Sequence, residues 1–100
     1  MRHTFRATIW RYPGDAGWRF VTLPTDVTDE IDDHTVAAQR GFGSVRVEVQ
    51  LGGSRWQTSL FPSKDAGSFV LPLKKPVRTA EGVDDGDEVE LTVTVLDPTT

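Results

Sequence analysis

In SVRVEVQL, residues 44–51, Val45, Val47, Val49 and Leu51 alternate with Ser44, Arg46, Glu48 and Gln50. In DEVELTVTVL, residues 87–96, Val89, Leu91, Val93 and Val95 alternate with Glu88, Glu90, Thr92 and Thr94. A period of two puts one set of side chains on a core and the other in water, which is the pattern of a half-buried β-strand. Phe5, Ala7 and Ile9 alternate with Arg6, Thr8 and Trp10 in a third such stretch. Gly52-Gly53 separates Leu51 from a further strand running through Leu60. A Gly-Gly pair tolerates the positive φ angles of a tight primed turn, so the spacing predicts a hairpin. Strands are also expected near residues 18–23 and 67–71.

Two segments leave this period. Val27, Ile31 and Ala38, with Thr35 between, have helical spacing. Thr25 is the expected N-cap, Asp26, Asp29 and Glu30 sit where the helix dipole favours anions, and Gly41 is the expected stop. KKPVRTAEG, residues 74–82, predicts a helix of about two turns. Pro76 suits its first turn, and Gly82 suits its C-terminal cap, with Val83 folding back. DDGD at 84–87 reads as a turn into the last strand.

The chain uses one phrase twice. Residues 12–24 read YPGDAGWRFVTLP and residues 61–72 read FPSKDAGSFVLP. Each copy ends one strand, turns through Asp-Ala-Gly, starts a second strand with Phe-Val, and reaches a helix after Leu-Pro. Each half thus runs strand, turn, strand, helix. A half alone cannot bury its apolar faces, whereas two halves closing on each other can, and closure protects strand edges. The expectation is a single domain over residues 1–100: mainly β, a small six-stranded barrel with two short helices and internal pseudo-two-fold symmetry. The tail at 97–100 is expected to fray.

One hundred residues suffice for one modest core. There is no cysteine, which removes disulfides and thiolate chemistry. No apolar run is long enough to span a membrane, and MRHTFRATIW lacks the features of a signal peptide, so the expected location is the cytoplasm. The formal charge of −4 is unevenly spread: +3 over residues 1–24, −4 over 25–40, +4 over 41–78 and −7 over 79–100. An acidic total opposes bulk attraction to nucleic acid or anionic lipid but permits a local basic face.

FVLPLKKPVRTAEGVDDGDEVEL, residues 69–91, resembles the AbrB-type motif of a strand, Leu-Pro, a short basic helix, Gly, then Gly-Asp and a final strand. Nearly the whole chain resembles a bacterial family of domains of unknown function, through GFGSVRVEV at 41–49, Trp56-x-TSLFP to 62, and LPLKKPVR with EG and GDEVE at 71–90. This likeness implies a double-split, AbrB-like β-barrel built within one chain. It implies no catalytic or binding residues.

Catalytic sets are sparse. A nucleophile needs a base in reach, and the chain has only His3 and His34, neither near a Gly-x-Ser-x-Gly elbow. Glu30/His34 and Asp29/Asp33 share i, i+4 spacing, but two ligands on an acidic helix read as a solvated surface without a third. DDGD lacks the spacing and closing Glu of a calcium loop. No enzyme, metal or cofactor is expected. The candidate binding surface comprises Trp10, Trp18, Trp56, Lys74, Lys75 and Arg78. Core packing is the bland reading of the tryptophans, and a solvated or acid-paired helix start is that of the lysines. The expected role is a monomeric, non-catalytic protein- or small-ligand-binding module without membrane contact. Nucleic-acid binding through the local basic patch, as in AbrB-like regulators, is the alternative.

Overall fold

The computed structural model describes residues 2–14, 17–35 and 44–96, the side chains of residues 34 and 35 excepted. The expected stop at Gly41, the end of the first helix beyond residue 35, and the tail at 97–100 lie outside the described residues, as do Asp15 and Ala16 of the first Asp-Ala-Gly.

The elements run β1 (Arg2–Thr8), β2 (Trp10–Arg11), β3 (Arg19–Thr22), α1 (Thr25–Thr35), β4 (Val45–Leu51), β5 (Ser54–Ser63), β6 (Ser68–Pro72), α2 (Lys75–Glu81) and β7 (Glu88–Val95). The seven strands form one antiparallel sheet in the order β1-β7-β4-β5-β6-β3-β2. Strands β1 and β2 stand at opposite ends of that order, yet only Ile9 separates them in the chain. The sheet therefore curls into a half-barrel.

That break accounts for seven strands where the alternation suggests six. The stretch from residue 2 to 11 changes partner midway: Arg2–Thr8 pair with β7, and Trp10–Arg11 pair with β3. At Ile9 the ladder gives way to the turn before β7. Ile9 N donates to Asp87 O at 2.9 Å, and Ile9 O accepts from Gly86 N at 2.8 Å. Strand β5 changes partner without breaking, pairing β4 through residues 54–60 and β6 through 61–63.

The alternation sorts side chains as the sequence predicts. Val45, Val47, Val49, Leu51, Val89, Leu91 and Val93 are all buried in one core. Burying an aliphatic side chain of this size contributes about 1.5–3 kcal/mol each, which is why the register holds. Helix α1 adds Val27 and Ile31, four apart on one face, while Asp26, Asp29, Glu30, Asp32 and Asp33 stay exposed. Thr28 N donates to Pro24 O at 2.9 Å, the first helical bond. Thr25 is thus the first helical residue, and Pro24, which fixes the approach of the chain, takes the cap position expected of Thr25. Thr28 Oγ1 accepts from Phe69 N at 3.2 Å, tying α1 to β6.

Helix α2 has Pro in its first turn and ends at Gly82, where Val83 N donates to Arg78 O at 3.0 Å. Val77 and Val83 pack against the core. Both glycines that close the Asp-Ala-Gly phrases, Gly17 and Gly67, have positive φ, +70° and +66°. L-residues pay for that conformation and glycine does not, so each phrase closes on a position that favours glycine.

Candidate functional site

The outer surface of β2, β3 and β6 is built by pairing register. Trp10 lies opposite Phe20, and Phe20 opposite Pro72. Thr22 lies opposite Val70, which lies opposite Phe61. Both ladders extend one step further: Tyr12 N donates to Trp18 O, and Leu73 N donates to Arg19 O, both at 2.9 Å. Lys74 continues the β6 path in an extended conformation, φ −75° and ψ 158°. The register therefore sets Tyr12, Trp18 and Lys74 in one row, Trp10, Phe20 and Pro72 in the next, and Thr22, Val70 and Phe61 in a third. Residues alternate across a sheet, so the intervening Val21, Leu71 and Leu73 face the core. Val70 is buried yet stands apart from the inner cluster, as a residue covered from the outer side must.

Four rings of this face touch. Phe20 sits in the middle, with centroids 5.2 Å from Trp10, 6.0 Å from Tyr12 and 6.3 Å from Trp18. Trp10 and Tyr12 lie 6.5 Å apart. The tilted and edge-on geometries are those aromatic quadrupoles favour. Trp10 Nε1 donates to Thr22 Oγ1 at 2.9 Å, which satisfies the half-buried indole and fixes its plane. The face remains open to water: Trp18 is 62% exposed and Tyr12 52% within the cluster, and Phe61 46% in the third row. Large apolar side chains left in water as a group mark a contact surface more than isolated ones do.

The six sequence candidates separate. Trp10, Trp18 and Lys74 share the outer face. Trp56, opposite Val49, packs against the core and takes the bland reading. Lys75 is exposed at the start of α2. Arg78 turns away: its Nε donates to Leu73 O at 3.1 Å, and its Nη1 lies 3.2 Å from Asp84 Oδ1. Neither Lys74 nor Lys75 belongs to the ion pairs formed among the described residues, so neither pairs with the acidic C-terminal strand. Sequence reasoning misses Tyr12, Phe20 and Phe61. The signal for them is the register of the two repeats, which brings Phe20 and Phe61 onto one side.

Beneath this face lies a charged latch. Arg19 Nε donates to Asp84 Oδ1 at 2.7 Å and to Asp85 Oδ1 at 2.9 Å, and its Nη1 donates to Gly17 O. Asp84 also accepts from the backbone N of Asp85 at 2.7 Å. That backbone bond first, then Arg19 and Arg78, hold the Asp84 carboxyl down to about 2. Asp87 Oδ2 accepts from Asp84 N, and Asp87 N donates to Asp84 O, so DDGD is a self-bonded turn. An open cleft of about 320 Å³ beside it is lined by Lys75, Arg78, Thr79 and Val83, with Asp84 and Asp87 opposing the bases. Of the two i, i+4 pairs weighed on α1, Glu30/His34 has its Glu30 facing His3, with Oε1 3.8 Å from Nδ1, and its His34 side chain outside the described residues, while Asp29 and Asp33 are exposed.

A half-barrel of seven strands with two helices and an aromatic outer surface defines a small, mainly β domain. The chain belongs to the family described as Domain of unknown function (DUF1905), which matches residues 5–93. No curated protein matches it. Among the described residues, no helix is long and apolar enough to cross a membrane.

Proposed function

We propose that this domain is a monomeric, non-catalytic binding module of the bacterial cytoplasm, and that its contact surface is the outer face of β2, β3 and β6. The observation that carries this reading is the exposure of Trp18 and Tyr12 on a ring cluster that is otherwise locked by pairing and by the Trp10–Thr22 bond. Rigid aromatic side chains contribute much binding energy at little entropic cost, and Trp and Tyr lead among residues that dominate interfaces. A non-catalytic role is supported by the placement of His3, which faces Glu30 rather than a hydroxyl nucleophile. A double-split, AbrB-like architecture with a pseudo-two-fold is supported by the order strand, strand, helix, strand occurring twice. It is supported too by the pairing of the two repeats through Val21 and Leu71.

The test is amide-shift mapping of the labelled chain against metabolite mixtures, peptide pools and oligonucleotides. A ligand should move Trp10, Tyr12, Trp18 and Phe20 together. Ligands that move only the outer faces of β4 and β7, or silence across all three sets, would remove the reading. The second reading, a basic patch acting as in AbrB-like regulators, is favoured by the exposure of Lys74 and Lys75 and weakened by the engagement of Arg78.

A further inference from the structure

We infer that the aromatic face takes single-stranded nucleic acid, its bases on the exposed rings and its phosphates at Lys74 and Lys75; this rests on the reading of that face as the contact surface. The three rows of the face contain aromatic, aliphatic and hydroxyl side chains and one charge, the ammonium of Lys74. No acid stands among them. Lys75 follows directly, and both lysines are exposed.

The acidity of the chain lies elsewhere and is partly neutralised. Asp84 and Asp85 are held by Arg19, and Glu88 by Arg6. The five acids of 25–40 belong to α1, whose apolar side packs into the core. The net −4 of the chain therefore does not describe the field at Lys74. A polyanion whose planar groups prefer to leave water fits a cationic corner beside exposed rings. Of the two hydroxyls in these rows, Thr22 Oγ1 already accepts from Trp10 and the other belongs to the exposed Tyr12 ring, so stacking on the rings is the main contact on offer. Recognition of this kind tolerates any base sequence. A duplex keeps its base faces stacked and offers nothing to the rings.

The test uses the whole chain and an oligothymidylate of roughly 12 nucleotides, with the matching duplex as comparison. At low salt the single strand should shift amides over residues 10–12, 18–22 and 70–75 and quench indole fluorescence, and the duplex should bind more weakly. Trp18→Ser should weaken binding about tenfold with an unchanged melting temperature. With two phosphate contacts, a tenfold rise in salt should lower affinity roughly 25-fold, and Lys74→Glu with Lys75→Glu should flatten that dependence. No shift at roughly 100 µM strand, the weak end of non-specific binding, overturns the inference. So does equal binding of the duplex. If oligonucleotides fail while a peptide or metabolite pool shifts the same amides, the nucleic-acid inference falls and the contact surface stands. If every ligand moves only the cleft beside α2, both fall.

Discussion

Arg19 and Asp84, 65 positions apart in the chain, meet at 2.7 Å and lock the β2–β3 hairpin to the turn that leads into β7. The same carboxylate also receives Arg78, so one exposed acid joins a hairpin, a helix and a turn.

This latch makes stability depend on acid pH. The folded-state value for Asp84 is about 2, below its ordinary 3.8. A depressed carboxyl stabilises the fold above its unfolded value, and that contribution is lost as pH falls through the folded one. The thermal midpoint should therefore fall between about pH 4 and about pH 2. Asp84→Asn should start lower at neutral pH and change less across that window. Parallel slopes for the two proteins would show that other groups carry the acid response.

The β4–β5 turn tests a close approach. Gly52 has φ +57°, and a Cβ there would overlap the carboxylate of Glu81, which accepts from Gly53 N at 3.3 Å and Ser54 Oγ at 2.5 Å. Gly52→Ala should cost about 1–2 kcal/mol for the left-handed backbone alone, and more if the Glu81 contacts are displaced. Gly53→Ala, with open space around the added carbon, should stay within about 0.5 kcal/mol. Denaturant midpoints at constant slope measure both.

Two substitutions separate core from contact surface. Leu71 is fully buried, so Leu71→Ala should cost about 2–5 kcal/mol. Trp18→Ser removes a ring that is largely in water and should change stability by about 0.5 kcal/mol or less. A large loss at Trp18 would mean that the ring serves the fold.

His3 carries a local cost. Its Nε2 is buried without a hydrogen-bond partner, and the residue lies opposite Val93. An unpaired buried polar atom costs about 1–3 kcal/mol, set against a 3.8 Å approach to an exposed glutamate. His3→Val should raise the denaturation midpoint, and a fall would show that the Glu30 contact outweighs the unpaired nitrogen.

Much of this fold is legible in the sequence because its strands obey a strict period. The alternations at 44–51 and 87–96, the Gly-Gly hairpin and the Pro76–Gly82 helix all stand where the residues place them. The break at Ile9 does not show, because Ile9 keeps its place in the apolar alternation with Phe5 and Ala7 and only the choice of partner strand changes there. The candidate face is half legible. Trp10 and Trp18 can be singled out as aromatic, but the 18–23 segment is apolar on both sides. Nothing local says whether Phe20 or Val21 faces the core. Arg78 reads as a free base until the chain folds Asp84 against it, and no spacing rule reaches from Arg19 to Asp85.

The two parts of the first hairpin arm have different waits. Strand β1 finds its partner in β7, with Thr4 and Thr92 in hydrogen-bond contact across 88 positions of chain. A strand whose partner is synthesised so much later stays unpaired until that partner emerges. Contacts this distant in sequence are slow to form. The first strand of this domain to leave the ribosome is thus among its last to be paired, and until β7 arrives Phe5 has no ladder to hold it against the core.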